Sequence, residues 1–151
     1  MRKPDLIIGP AHDPQTRRWH LWLPTFMKRR GFQLGLHQWL RSDHDRALHD
    51  HKANNLSVLL TGPYREWFSH NWEKPYFKVR WPFIPYYRIG ELPHRIELHR
   101  GPIWSLWLRW PSRREWGFWC PRGWKPWEQY VAEKGDYYVN GSSTVGKGCD
   151  D

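Results

Sequence analysis

The sequence has little cysteine and no long apolar run. Its two cysteines, Cys120 and Cys149, are few and unpatterned, which argues against a disulfide scaffold and for a reducing compartment. We expect Cys120 to be a buried packing residue. The N-terminal "MRKPDLIIGP" has three consecutive apolar residues, too few for the core of a signal peptide. No stretch approaches the roughly 18 apolar residues that suggest a membrane span. These absences predict a cytoplasmic protein without a membrane segment.

Several motifs of known chemistry are also missing. The chain has no Gly-rich phosphate loop, no Ser nucleophile elbow and no paired-Cys zinc pattern. Acidic residues are outnumbered, with 15 Asp+Glu against 24 Lys+Arg and a formal net charge of +9. That balance suits a polyanionic partner, although it is also common in proteins that bind nothing anionic.

Aromatic residues are abundant: they make up 17% of the 151 residues, with 13 tryptophans. Each buried ring removes roughly 150–250 Å² from water, so few residues can build a substantial core. The length fits one domain. We expect an N-terminal arm and short helix over residues 1–30, with residues 1–18 extended, a β-barrel over 31–134, and a flexible Gly/Ser-rich tail over 135–151.

The middle of the chain alternates with a period of two, which is typical of strands. "FQLGLHQWLRS", "NLSVLLTG", "HRIELHRG" and "PIWSLWLRWP" each fit a strand. "YREWFS" is expected to form a hairpin with "NLSVLLTG". The Pro-interrupted "PYFKVRWPFIPYYRIG" predicts edge strands and a loop. Pro24 limits the N-terminal segment to a short or broken helix, and "KPWEQYVAEKG" predicts a C-terminal helix. Short, evenly spaced strands indicate an all-β sandwich or small barrel.

A cluster of three histidines and three aspartates between Asp43 and His51 is the strongest chemical feature. Residues two apart on a strand point to the same side, so His49 and His51 would project together and Asp50 away. Two imidazoles can share a divalent ion. His94, on a strand that could lie across the barrel, is the candidate third ligand. A solvated polar loop and a charged surface patch are the alternative interpretations.

Two motifs resemble those of the cupin superfamily. "HDHKANNLSVLLTG" is similar to the first cupin motif, in which two histidines one residue apart precede a glutamate and a closing glycine; Asn55 occupies the glutamate position. "GELPHRIEL" is similar to the second motif, with Gly90 and His94 in place of its glycine and histidine. The resemblance covers roughly residues 33–110 and extends to a bacterial and phage cupin-like group. It implies a double-stranded β-helix, a jelly-roll-like barrel.

The resemblance also implies a metal site and an activity. His49, His51 and His94 would hold a divalent ion, Fe(II) being favoured over Zn, Mn or Ni. With Asn55 replacing the glutamate, the set resembles the three-histidine iron sites of thiol dioxygenases. An oxygenase acting on a small or medium polar or anionic substrate is therefore expected, with a metal-dependent isomerase or hydrolase as an alternative.

Further residues have candidate roles at this site. Asp43 and Asp45 could orient ligand histidines by accepting their second N–H, as outer carboxylates do; the alternative is a turn cap or a solvated position. Arg41 and Asn55 are candidates for substrate contact or metal tuning. The alternative for Arg41 is an ordinary surface arginine.

A basic, Trp-rich stretch, "RWPSRREWGFWCPRGWKPW", leaves a non-catalytic function open. Bases could stack on its rings while phosphates meet its cations. The alternative is tryptophans packed over one end of the barrel with arginines reaching outward. A binding protein for a metabolite or nucleic acid is thus the rival of the enzyme. Exposed edge strands also favour a homodimer.

Overall fold

The computed structural model describes residues 2–8, 13–43, 47–69, 74–133, 137–139, 142–144 and 149. In chain order the elements are β1 (Leu6–Ile8), β2 (Thr16–His20), α1 (Thr25–Arg29), β3 (Gln33–Trp39), β4 (Leu48–His49), β5 (Asn55–Leu59), β6 (Tyr64–Phe68), β7 (Tyr76–Arg80), β8 (Tyr86–Arg88), β9 (His94–Leu98), β10 (Ile103–Arg109), β11 (Gly117–Cys120), β12 (Gly123–Pro126), α2 (Trp127–Glu133), β13 (Tyr137–Val139) and β14 (Ser142–Thr144).

The strands form two antiparallel sheets. One has the order β14-β13-β1-β2-β3-β10-β5-β8, and the other has the order β12-β11-β4-β9-β6-β7. The long strands β3 and β10 pair over seven residues at the centre of the larger sheet. The all-β fold, the short N-terminal helix and the C-terminal helix are confirmed.

The interior changes character along the strands. The inward residues of β5 run from Leu59 through Ser57 to Asn55, and those of β10 run from Ile103 to Ser105 and beyond. Leu59 and Ile103 belong to an apolar cluster drawn from both sheets, whose other buried members are Trp39, Tyr64, Tyr86 and Ile96. Apolar packing therefore closes one end of the interior, while polar side chains face inward at the other.

The expected extended arm over residues 1–18 contains β1 and the start of β2; β1 pairs with β2, and β2 pairs with β3. One expectation about strand pairing is wrong. Strand β6 is not the hairpin partner of β5: β5 pairs with β8 and β10, whereas β6 pairs with β7 and β9. The chain crosses between sheets at Gly62, whose φ of +44° favours glycine. Alternation along a strand does not reveal which sheet it joins.

Both helices begin directly after a proline. Pro126 lies directly before α2, as predicted, and Pro24 lies directly before the short helix α1, so it precedes that helix and does not break it. In the tail, β13 and β14 pair with each other, and Val139 pairs with Ile8 of β1; the flexibility of the tail stays a prediction. Of the remaining tail residues, only Cys149 is described.

The cysteine prediction needs correction. Cys120 of β11 is buried, but it forms a disulfide bond with Cys149, 29 residues further along the chain. Pairing requires the two Cα atoms to lie within about 7 Å, and sequence spacing does not report that distance. No helix in the described ranges could cross a membrane, because α1 and α2 have five and seven residues.

Candidate metal centre

The three predicted histidines lie together on neighbouring strands. His49 ends β4, His51 follows two residues later, and His94 begins β9. His49 and His94 are direct register partners between β4 and β9. The strand of His94 therefore lies beside the first histidine pair and not across the barrel, which corrects that part of the prediction.

The spacing of the imidazoles fits a shared ion. The ring centroids lie 5.1 Å apart for His49 and His51, 4.8 Å for His49 and His94, and 4.9 Å for His51 and His94. One ring nitrogen from each lies within 4.8 Å of the other two. The Nε2 atoms of His51 and His94 are 3.2 Å apart. Two metal–nitrogen bonds of about 2.1 Å at tetrahedral to octahedral angles require roughly 3.0–3.4 Å between nitrogens.

The tautomer of His94 follows from one hydrogen bond. Its Nδ1 lies 3.1 Å from the carbonyl oxygen of Leu92, which can only accept, so Nδ1–H donates. In the neutral ring the lone pair is then on Nε2, which faces the Nε2 of His51. A backbone carbonyl thus orients this imidazole as outer partners orient metal ligands.

Burial keeps all three rings neutral. Desolvation lowers the pKa of His49, an effect that nearby Asp43 opposes. Desolvation, followed by the charge of His49, lowers the pKa of His51 well below its ordinary value, and desolvation with Arg88 does the same for His94. Neutral imidazoles have free lone pairs, which is the state that metal binding requires.

Asp50, between the two histidines, is fully buried. It accepts hydrogen bonds from the Gly117 N–H at 2.8 Å and the Arg114 guanidinium at 2.8 Å. Two tryptophan indoles, of Trp119 at 3.2 Å and Trp124 at 3.0 Å, donate as well. These four donors anchor the backbone between His49 and His51.

Of the other predicted site residues, Asp43 lies near His49, whereas Arg41 pairs with Asp13. Buried Asp43 accepts from the Gln15 side chain at 2.5 Å and the Ile96 N–H at 2.6 Å. Its Oδ2 lies 3.9 Å from Nδ1 of His49, which is near enough for charge interaction but too far for a hydrogen bond. Asp45 lies outside the described residues. Arg41 pairs with Asp13 at 3.4 Å and is not brought to the cluster.

A cavity of about 260 Å³ opens beside the histidines. His49 and His51 line it from the smaller sheet, while His94 is fully buried next to them. Asn55 lines it from the larger sheet and accepts a hydrogen bond from Ser57 at 3.1 Å. The volume suits a small substrate.

Sequence reasoning missed several polar residues of this cavity. Arg18, His37, Trp107 and Arg109 line it from the larger sheet. Register partners Arg18 and His37 lie on β2 and β3, and Trp107 and Arg109 alternate on β10. The alternation of β10 put Trp107 and Arg109 on one face, but only the closed barrel shows that this face is the inner one.

The Trp-rich stretch makes several contacts within the protein, although most of its residues are half-buried or exposed. Trp116 stacks on Trp127 of α2, with centroids 5.7 Å apart and planes 7° apart. The Asp50 carboxylate accepts hydrogen bonds from Arg114, Trp119 and Trp124. These contacts favour the structural interpretation of this stretch.

Comparison with known proteins shows likeness in structure only. No protein-family model matches the chain, and no curated protein matches its sequence significantly. Hydroxypropylphosphonic acid epoxidase from S. wedmorenis matches with a TM-score of 0.53 and 16% identity over 73% of this chain and 58% of that one. HEPD from Streptomyces albus, with 2-hydroxyethylphosphonate and Fe(II) bound, has a TM-score of 0.54 and 15% identity, covering 72% and 24%.

A variant of oxalate decarboxylase from Bacillus subtilis gives a TM-score of 0.51 with 11% identity, covering 74% of this chain and 30% of that one. The chain spans less than two thirds of each of these three proteins, and the identities carry the fold alone. The two-sheet architecture and these neighbours together confirm the resemblance at the level of fold: the protein has the fold of the cupin superfamily.

Proposed function

We propose that the protein is a metal-dependent cupin enzyme with a mononuclear iron centre and an oxygenase-type activity. The observation that supports it is the convergence of three imidazoles, from His49, His51 and His94, beside a cavity. Neighbours of the same fold include Fe(II) proteins. Three neutral ligands leave a divalent ion its full charge, so the ion would supply Lewis acidity and open positions for substrate and O₂.

The chain's own residues would prepare the site. The Leu92 carbonyl holds His94 in the tautomer whose Nε2 carries the lone pair, and Asp50 holds the backbone between the other two ligands. Asn55 lines the cavity, where it would contact substrate. Because its side chain is neutral, it would leave the charge of the ion uncompensated. A metal-dependent isomerase or hydrolase would use the same parts, since the fold does not determine the reaction.

We also propose that two copies of the chain associate through their sheet edges. Strands β7 and β8 end the two sheets. The side chains between and around them are large, apolar and exposed, namely Phe77, Trp81, Phe83, Ile84, Tyr87 and Ile89. Exposed apolar side chains beside an unpaired strand edge favour protein contacts.

A cytoplasmic location stays a prediction, against which the Cys120–Cys149 disulfide counts.

Elemental analysis of protein purified without a His-tag or chelator tests the metal centre. We expect near-stoichiometric metal, lost in the His49→Ala/His51→Ala double variant because two of three ligands are gone. His99→Ala is the matched control, since His99 is exposed at the end of β9 and outside the cluster. Absence of metal from the wild type, with none taken up when Fe(II), Zn, Mn or Ni is added, would overturn the proposal.

Substrate screening follows if metal is present. Consumption of O₂ by the metal-loaded protein with an anionic substrate, and none by the double variant, is expected for an oxygenase. Turnover that continues under nitrogen would instead identify an isomerase or hydrolase. Nucleic-acid binding that falls steeply with salt and survives the double substitution would support the binding-protein alternative.

A further inference from the structure

The cavity wall opposite the histidine cluster contains buried polar atoms without partners. Four such side-chain nitrogens belong to cavity-lining residues of the larger sheet, and each is buried without a hydrogen-bond partner among the described residues: Nε of Arg18, Nε2 of His37, Nε1 of Trp107 and Nε of Arg109. Buried polar groups are nearly always satisfied, so each exception needs an explanation.

These atoms come from adjacent strands. Arg18 of β2 is the register partner of His37 on β3, which in turn pairs with Ser105 of β10. Trp107 and Arg109 follow Ser105 at alternate positions of β10, so all face the same side of the sheet. The rings of His37 and Trp107 are 5.0 Å apart. Arg109 is close enough to Arg18 for the two charges to repel.

A third arginine of the cavity, Arg88, differs from Arg18 and Arg109 because it has a carboxylate partner. Arg88 donates to the fully buried Glu66 at 2.7 Å from its Nε, so its charge is compensated within the protein. Neither Arg18 nor Arg109 makes an ion pair with a described carboxylate. Asp43 acts on Arg18 at longer range, but its oxygens accept from Gln15 and the Ile96 N–H.

Burial of these two guanidinium groups without a carboxylate partner among the described residues is unfavourable. Desolvation, and then the charge of Arg109, lowers the pKa of Arg18 to about 10, and desolvation lowers the pKa of Arg109. Removing a charge from water without a counter-charge is costly. Arg18 and Arg109 are both cationic, and their N–H donors face the same cavity. A bound anion would stabilise this arrangement.

We propose that Arg18 and Arg109, with His37 and Trp107, form an oxyanion pocket that holds a compact, doubly charged head group opposite the histidine cluster. A dianion would balance the two guanidinium charges, and its oxygens would accept from the unpartnered nitrogens. The volume of about 260 Å³ limits the ligand to a small molecule. The pocket deepens the proposed function by naming its substrate class. The part that concerns catalysis rests on that function, whereas anion binding does not.

Calorimetric titration of the 151-residue chain, dialysed against EDTA, with inorganic phosphate and with succinate tests the pocket without contribution from a metal. We expect wild-type binding of at least one of the two anions. Arg18→Gln and Arg109→Gln should each weaken it about tenfold or more, since each removes a charged hydrogen bond. Arg17→Gln is the matched control: Arg17 directly precedes Arg18 in β2, points to the other face and donates to Gln38 at 3.4 Å. It should change the affinity less than about twofold.

The melting temperature shows whether a variant that binds no anion is nevertheless folded. Because Arg18 and Arg109 lack counter-charges, their glutamine variants should melt no lower than the wild type in anion-free buffer. The anion that binds should raise Tm only in the wild type and in Arg17→Gln. Unchanged anion affinity in both arginine variants, or no wild-type binding of either anion, would overturn the pocket.

The outcomes also separate the two proposals. Metal present with no anion binding removes the pocket and leaves the metal centre. Anion binding that depends on both arginines, in a protein that takes up no metal, supports the pocket and removes the enzyme. Phosphate bound with the same affinity by the His49→Ala/His51→Ala variant supports a pocket that is separate from the histidines.

Discussion

At the scale of single residues, two buried carboxylates hold the interior together by accepting several donors each. Asp50 satisfies four donors from the segment that follows residue 113. Glu66 lies between Arg80 and Arg88, with side-chain exposures of 0%, 20% and 6%. Breaking such a pair leaves uncompensated charge and unpaired donors inside the protein, so these positions should tolerate substitution badly.

Substituting Asp50→Asn should lower the free energy of unfolding by about 3 kcal/mol, because the amide places an N–H where only an acceptor fits. It should also weaken metal binding, since the backbone between His49 and His51 loses its anchor. Urea denaturation and metal titration measure the two effects. Asp13→Asn is the control, because Asp13 is exposed and its pair with Arg41 should contribute less than about 1 kcal/mol. Equal stability of the two variants would contradict this role of Asp50.

His37 predicts how stability depends on pH. Burial, followed by the charge of Arg18, lowers its pKa well below the ordinary value. The folded state keeps His37 neutral, while the unfolded chain protonates it below about pH 6.5. Stability is therefore full above that pH and falls as the pH drops, by up to about 1.4 kcal/mol per pH unit from this residue.

Urea denaturation of the EDTA-dialysed protein between about pH 7 and pH 5 measures that loss, since histidines titrate in this range. We expect His37→Gln to reduce the pH dependence by a measurable part, the histidines of the metal centre accounting for more of it. The same substitution at exposed His99 should leave it unchanged. A profile of His37→Gln identical to that of the wild type would show that His37 is not buried neutral.

At the scale of elements, the site depends on short strands that meet at one end of the interior. Strand β4 has two residues, yet it pairs with both β9 and β11 and so brings His49 beside His94. Strand β11 is held in turn by the Cys120–Cys149 disulfide and by α2, whose Tyr130 ring lies 3.7 Å from that of Phe118. The C-terminal elements therefore support the strand that carries the first ligand.

Reducing the disulfide should lower the free energy of unfolding by about 3–4 kcal/mol, as expected for a closed loop of this length. Guanidinium denaturation with and without reductant measures the change. The Cys120→Ser/Cys149→Ser variant should match the reduced wild type and be insensitive to reductant. Equal stability of oxidised and reduced protein would show that the bond does not constrain the chain.

At the scale of the whole molecule, both sheets end in a strand whose surroundings are apolar and exposed. Trp81, Phe83 and Ile84 are 56%, 75% and 59% exposed between β7 and β8. Apolar side chains grouped beside unpaired edges are the part of the surface that a second copy would cover.

Light scattering coupled to size exclusion should therefore show a dimer, and Trp81→Glu with Ile84→Glu should shift it to monomer because charges would be buried at the interface. Trp22→Glu is the control, since Trp22 is 75% exposed near α1 and far from these positions in the sequence. A wild-type monomer at high concentration, or a dimer unaffected by the double substitution, would contradict association through these edges.

The sequence by itself determined the strand pattern and the metal-ligand candidates. Alternation with period two depends only on which side chains can be buried, and the His-x-His spacing depends only on the pleat, so both are readable without tertiary contacts. The prolines before α1 and α2 likewise act locally. His49 and His51 were identified in this way, and His94 was the candidate third ligand because it opens another alternating segment. The motif position of Asn55 came from the resemblance to cupins.

Only the tertiary structure decided which strands pair and which polar residues share the cavity. The crossing between sheets after β5, the place of β1 and the tail strands, and the Cys120–Cys149 bond all depend on long-range contacts that local patterns do not encode. The same is true of Arg18, His37 and Arg109. Each is an ordinary polar residue in its own strand, and closure of the barrel brings the three positions together in one wall of the cavity.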